Sequence, residues 1–273
     1  ALDQLDPLIK DNPNDAVLFN IKGACYAQIG EPIMAMKQYE EAVQIDPNYS
    51  EAYSNLGITL QELDELEKAL KSFEKAFSLK PEKIETANTI STILQEINDP
   101  NLSINYYKKI IESSPKLYLV HFNLGIAYQK LNFIDEAINS YKDVLELEPE
   151  FTDAYLNLGI IFDETGQLDE SLKNLERAIE IDPTNSLAYN NLGITLKKLD
   201  RIDDAIESFK KAILISPDHP GTNHNLGMLL VKYHQSHIAL SFLKTALEAN
   251  LNAEPYWVNY INALINSDEL DTA

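Results

Sequence analysis

Apolar positions along this chain repeat one motif: a small residue, a large apolar residue about four places on, and another small residue three places after that. The leading small residues are Ala35, Ala69, Ser103, Ala137, Ser171, Ala205 and Ala239, and the trailing positions hold Ala42, Ala76, Ile110, Val144, Ala178, Ala212 and Ala246. Between them stand Tyr39, Phe73, Tyr107, Tyr141, Leu175, Phe209 and, as the expectation for the last, Phe242. Steps of four and three keep side chains on one face of an α-helix, so each stripe is read as core.

The stripes come back every 34 residues, and so do seven prolines: Pro13, Pro47, Pro81, Pro115, Pro149, Pro183 and Pro217. A fixed period of this length marks stacked supersecondary units. With each proline at position 32, the units run over residues 16–49, 50–83, 84–117, 118–151, 152–185, 186–219 and 220–253. Glycine occupies position 8 in six of them, at Gly23, Gly57, Gly125, Gly159, Gly193 and Gly227, where a missing side chain lets a neighbouring helix come close. Each unit then reads as helix A at positions 1 to 14, a tight turn, helix B at 17 to 31, and a proline stop. Two units diverge. The third has Ser91 at position 8 and Ile110 at position 27, with Asn98-Asp99-Pro100 at its turn, and is expected to be the least stable; the seventh has Leu251 where proline is due.

Residues 1–15 read as the B helix of a preceding repeat, with Ala1, Leu5 and Leu8 on the core stripe and an irregular first turn around Pro7. Residues 254–273 read as the A helix of a following one, with Trp257, Tyr260 and Leu264 packing. A fragment of a longer protein is therefore expected, and uncapped apolar ends raise end-to-end self-association as one possible activity.

The runs Tyr53, Leu56, Gly57, Leu60, Ala69, Phe73, Ala76, Pro81 and Tyr189, Leu192, Gly193, Leu196, Ala205, Phe209, Ala212, Pro217 resemble the tetratricopeptide repeat, and the resemblance covers essentially the whole chain. It implies an all-α fold, a right-handed superhelical solenoid of antiparallel helix pairs, with the A helices lining an inner wall that holds peptides or protein partners. Function is carried by the site and not by the fold, so the wall itself has to be read.

Helix A packs through positions 4, 7, 8 and 11, which leaves positions 2, 6, 9 and 13 on the opposite face. Position 6 is Asn55, Asn123, Asn157, Asn191, Asn225 and Asn259, interrupted by Ile21 and Thr89. A side-chain amide can pair with both N–H and C=O of an extended peptide and so read backbone without demanding a sequence. The ladder is similar to the one lining the superhelix of O-linked N-acetylglucosamine transferases, which makes a substrate-recruiting arm of such an enzyme an alternative to a free-standing scaffold. The other reading is that these amides are solvated or bonded to a neighbouring helix. Charge on the same wall is uneven: Glu51, Glu62, Glu85, Glu96, Asp153, Asp163 and Glu164 lie in the early and middle units, whereas Lys130, Lys197, Lys198 and Lys232 fall mostly later. A partner with a basic end and an acidic end fits this distribution. Glu62, Glu164, Lys130, Lys198 and Lys232 join the six asparagines as candidate peptide contacts. Lys197, Lys198 and Lys232 with Asn191 and Asn225 also form a loose match to the family's carboxylate clamp, without its arginine.

The net charge of -21, from 43 acids against 22 bases, argues against a nucleic-acid backbone or an anionic membrane as partner. The single cysteine, Cys25, can build neither an internal disulfide nor a zinc site, which suits a reducing, cytoplasmic compartment. No apolar run is long enough to span a bilayer, and the start lacks the pattern of a signal peptide. His219, His224, His234 and His237 cluster around the seventh unit but do not repeat on one helix face, so surface histidines are preferred to a metal site; His121, at position 4, is read as packing. No nucleophile elbow, phosphate loop, zinc-protease helix or dinucleotide fingerprint is present. No catalytic role, cofactor or metal is expected of this segment.

Overall fold

The computed structural model describes residues 2–81 and 84–267. These fold as two compact units, Ala1–Leu147 and Glu148–Ala273. In the first unit the helices are α1 (Leu2–Asp11), α2 (Ala16–Gln28), α3 (Pro32–Ile45), α4 (Ser50–Glu62), α5 (Leu66–Leu79), α6 (Ile84–Ile97), α7 (Pro100–Ser113), α8 (Tyr118–Lys130) and α9 (Ile134–Leu147). The second unit holds α10 (Thr152–Glu164), α11 (Leu168–Ile181), α12 (Ser186–Lys198), α13 (Ile202–Ile215), α14 (Pro220–Lys232), α15 (Ser236–Ala249) and α16 (Glu254–Asn266). The described residues are all-helical, and consecutive helices pack as A–B hairpins in a solenoid.

Three local devices recur within the hairpins. Helix B ends at position 30 in every repeat, and in repeats 1 and 5 the residue after it, Asp46 or Asp182, accepts the amide of Asn48 or Thr184 at 2.9 Å. An aspartate turn of this kind satisfies backbone that the proline leaves out of the helix. Between A and B, position 15 takes a left-handed conformation each time: φ is 77° at Gly30 and Gly166, 61° at Asp64 and Asn132, 53° at Asn98, 60° at Asp200 and 59° at His234. Glycine, asparagine and aspartate reach this region at little cost, and His234 is the repeat's one bulky exception.

The third device is the close approach at position 8. A Cβ built on Gly125 would lie 2.6 Å from Cε1 of Tyr141, and one on Gly193 would lie 2.6 Å from Cε1 of Phe209. Tyr141 and Phe209 are both fully buried, so the ring fills the space that the missing side chain leaves. In the seventh repeat the residue in that role is Leu243, whose Cγ lies 2.6 Å from the Cβ position of Gly227. This corrects the expectation for Phe242, which is only partly buried at the margin of the same core. Spacing wins over aromatic preference because the pocket is set by the helix pitch.

Repeat 3 departs from the rule. Ser91 stands where the others have glycine, and α6 and α7 are the least closely packed of the A–B pairs. A real side chain at position 8 must hold the opposing ring, Tyr107, farther out. Tyr107 is nonetheless buried, and burial pushes its hydroxyl up to about 12, opposed by a hydrogen bond with Ser91.

The N-terminal helix corrects two expectations. α1 runs through Pro7, which costs one ladder hydrogen bond without making the first turn irregular. Leu5 is buried against α2, whereas Leu8, the third stripe position, is 48% exposed because α1 has no earlier A helix to pack against among the described residues. Ala1 lies outside those residues.

Candidate functional site

The face of each A helix turned away from its B partner carries the side chains that packing leaves free. Within the first unit, α4 presents Glu51, Asn55, Ile58 and Glu62 there. Asn55 is half-buried, and its Nδ2 donates to Oδ1 of Asn20 on α2 at 2.9 Å, while Asn20 donates from its own Nδ2 to the Tyr49 hydroxyl at 3.2 Å. Asn20 is buried, so this amide serves the fold by satisfying polar groups along the A–A contact.

Asn123 on α8 differs. It is half-buried, makes no side-chain hydrogen bond to the described residues, and borders a small cleft of about 30 Å³. Leu94, Tyr107, Ile126 and Ala127 form apolar walls of that cleft; Asn98 and Lys130 are also in its lining, with Lys130 Nζ donating to Asn98 Oδ1 at 2.9 Å. The cleft lies among α6, α7 and α8, with Tyr107, the ring that faces Ser91, in its wall. A departure from the repeat consensus and an unoccupied amide thus meet at one place.

In the second unit the asparagines divide in the same way. Asn225 donates to Oδ1 of Asn190 at 3.1 Å, and Asn259 pairs with Nε2 of His224 at 2.7 Å. Asn191 folds back to the Leu187 carbonyl at 2.8 Å. Asn157 is half-buried with no side-chain hydrogen bond to the described residues. For Asn55, Asn191, Asn225 and Asn259 the residue at position 5 of the preceding repeat accounts for the difference, whereas exposed Asn88, 35 residues before Asn123, makes no such bond. Where it is Asn20, Asn190 or His224, it accepts from the asparagine 35 residues on; Leu156 cannot, and Asn191 turns to its own helix.

Lys198 is engaged inside the fold. It pairs with Asp163, whose side chain is 12% exposed and also accepts from the Thr195 hydroxyl at 3.0 Å. Thr195 in turn lies 3.0 Å from Ser171, which donates to the Gly159 carbonyl. The network ties α10, α11 and α12 together, which leaves Lys198 poorly placed to grip a carboxylate. Lys232 is exposed, 5.7 Å from the ring of its neighbour Tyr233, and Glu164 is exposed at the end of α10.

Helix C-termini carry partial negative charge, so a lysine there is favourable and a carboxylate unfavourable by about 0.3–1 kcal/mol. Lys130, Lys198 and Lys232 follow that preference at position 13. Glu62 and Glu96, both exposed at the same position, oppose it, as does Glu164. Glu96 accepts a long hydrogen bond from Gln61 at 3.5 Å, and Glu62 and Glu164 have no hydrogen bond or ion pair to a described residue that would offset the dipole.

The four histidines in and just before the seventh repeat play separate parts. His219 caps α14 by accepting the Thr222 amide at 3.2 Å, His224 bonds across to α16, His234 makes the left-handed turn, and His237 is exposed on α15. His121 is buried and its Nε2 donates to the Pro115 carbonyl at 2.9 Å. Cys25 is half-buried on α2.

Burial, and then the charge of Lys197, lowers the pKa of His224 from its ordinary 6.5. The Asn259 bond requires a lone pair on Nε2, so the neutral form with the proton on Nδ1 fits the fold. The unfolded chain takes up a proton near 6.5 that the folded chain resists, so this contribution is complete above that pH and is lost as pH falls below it. Melting temperature is therefore expected to fall between pH 7.5 and 5.5 more steeply for the parent than for His224→Gln. Parallel curves would remove the assignment.

Sequence profiles of the tetratricopeptide repeat match residues 26–64, 50–83, 84–117, 118–151, 161–200 and 186–219. The chain belongs to the tetratricopeptide repeat family, a class of non-catalytic scaffolds for protein interaction. None of the curated proteins matches it significantly. Among solved structures it is similar to YrrB, described as a TPR protein with an unusual peptide-binding site, at 24% identity over 69% of this chain and 97% of that chain, with a TM-score of 0.52. It is also similar to a tetratricopeptide repeat protein from Parabacteroides merdae, at 17% identity, 91% and 98% coverage and a TM-score of 0.54. A third likeness, to the Naa15/Naa10 structure bound to HypK-THB, has 17% identity and a TM-score of 0.61, spanning 93% of this chain and 40% of that one. At these identities the likeness is one of fold. No helix among the described residues is long and apolar enough to cross a membrane.

Proposed function

We propose that this scaffold holds extended peptide segments of its protein partners on the outward face of its A helices, with unoccupied asparagine amides reading the partner's backbone. The observation that carries the reading is Asn123: a half-buried amide without an internal partner, beside a small cleft lined also by residues of the adjoining repeat. An amide of this kind can donate to a peptide carbonyl and accept from a peptide N–H at once. Asn157 offers the same chemistry in the second unit. Asn55, Asn225 and Asn259 contribute mainly to helix contacts and only their remaining lone pairs and N–H groups to a ligand. YrrB's description as a peptide-binding TPR protein agrees with this use of the fold.

The test is binding of a peptide library to the parent and to the double variant Asn123→Ala/Asn157→Ala. Affinity is expected to fall about five- to thirtyfold across many sequences, as when one or two net hydrogen bonds of about 1 kcal/mol each are lost. Helicity and melting temperature should not change. Unaltered binding would take the amides out of recognition and leave the charged positions to account for it.

A further inference from the structure

The first unit's A-helix face carries aliphatic side chains that no described element covers. Val17 and Ile21 on α2 are 50% and 43% exposed, and Ile58 on α4 is 50% exposed. The Asn55–Asn20 hydrogen bond fixes the two helices side by side, with Ile21 next to Asn20 and Ile58 one turn beyond Asn55. On α6 the corresponding places hold Thr89 and Thr92, whose hydroxyls bond back to Glu85 and Asn88 of the same helix. The strip is therefore apolar to weakly polar and offers a partner few fixed donors.

Charge commits it to one kind of partner. Across α4 and α6 the strip is flanked by Glu51 and Glu85 on one side and by Glu62 and Glu96 on the other, all exposed, and none forms an ion pair with a described residue. The only lysine on the described A helices from α2 to α6 is Lys22, bound to Asp6 at 2.7 Å. Glu51 and Glu85 stand in first helical turns, where the backbone dipole welcomes a carboxylate; Glu62 and Glu96 stand in last turns, where it does not. Each pair is separated by about 16 Å along its helix, from eleven residues at ~1.5 Å each. Long basic side chains on a segment lying over the midline reach toward both rows while an aliphatic residue seats on Ile21 and Ile58.

We infer that α2, α4 and α6 dock an extended segment of a partner protein in which an aliphatic residue is flanked by lysine or arginine. This rests on the reading that A-helix faces hold peptides, and adds the partner's chemistry.

Fluorescence anisotropy with the whole chain and three short labelled peptides tests it. The peptides share a leucine centre and carry lysine, serine or glutamate flanks. The lysine-flanked peptide is expected to bind tightest and to weaken about tenfold between roughly 50 and 250 mM salt. Glu62→Gln/Glu96→Gln should lower its affinity at least about fivefold with melting temperature unchanged or raised. Ile58→Ser should weaken it as well. Glu40→Gln/Glu41→Gln, which removes the same charge from exposed positions on α3, should leave it unchanged. Equal losses in the two charge variants would mean diffuse attraction to an acidic chain and overturn the inference. Serine-flanked peptide binding as tightly as the lysine-flanked one would overturn it too, with the peptide-holding function intact. Failure of every peptide to bind would sink both.

Discussion

Phe209→Ala is expected to destabilise the second unit by about 3–5 kcal/mol, read by urea denaturation and by loss of hydrogen-exchange protection in α12 and α13 first. The ring is fully buried in a core that also includes Leu196, Ala205, Leu226 and Leu229. Truncation removes its transfer free energy and leaves a cavity, since the glycine it packs against has no side chain to move inward. Stability in repeat arrays is close to a sum of unit and neighbour terms, so damage to one stripe reaches adjoining repeats through their contacts. A loss below about 1 kcal/mol would show that position 24 is not the keystone its burial implies. The same substitution at Phe242, partly buried at the margin, should cost distinctly less.

That contrast marks the boundary of what the sequence discloses. The period, the small residues at positions 20 and 27, the glycine at 8 and the proline stop are local signals, and each names the helix face it serves. Helix A ends at position 13 and helix B at position 30 in nearly every repeat, one residue short of the pattern's estimate. Leu243 is masked in the sequence by its neighbour Phe242, because composition favours an aromatic whereas helix pitch decides which residue meets Gly227. Leu8 follows the stripe yet stays exposed, because the stripe predicts a face and burial also needs an opposing helix.

The site is legible in part. The position-6 asparagines are visible as a ladder, but three of the amides bond to the side chain 35 residues earlier, a partner no local window contains. A polar residue at position 5 followed in the next repeat by asparagine at position 6 marks three of the pairs, Asn20 and Asn55, Asn190 and Asn225, and His224 and Asn259, but Asn88 and Asn123 share that spacing and stay apart, so residue types alone do not decide the pairing. The left-handed turn is likewise written at position 15 as glycine, aspartate or asparagine, and it explains His234 without any ligand. Nothing local singles out Asp163 among the wall's acids. Its pairing with Lys198 and Thr195 arises from the A–A contact between α10 and α12.

Repeat 3 suggests the second large effect, a deliberate copy of its departure elsewhere. Gly193→Ser puts a Cβ where Phe209 Cε1 lies 2.6 Å and Cδ1 2.7 Å away, so ring and helix must separate. The hydroxyl is not the obstacle, because serine can return it to the carbonyl four residues back, as Ser91 does to Ala87 at 3.0 Å. Serine also suits a helix slightly better than glycine, which offsets a few tenths of a kcal/mol. Overpacking dominates at about 1–3 kcal/mol, and a net loss near 2 kcal/mol is expected, equivalent to roughly 4–8 °C in melting temperature. The mechanism is separable from general damage by a double-mutant cycle. With Phe209 already truncated to alanine there is no ring for the new Cβ to meet, and Gly193→Ser should then cost almost nothing. If its cost persists in that background, the close approach at position 8 is not what glycine protects, and the looser packing of α6 on α7 needs another cause.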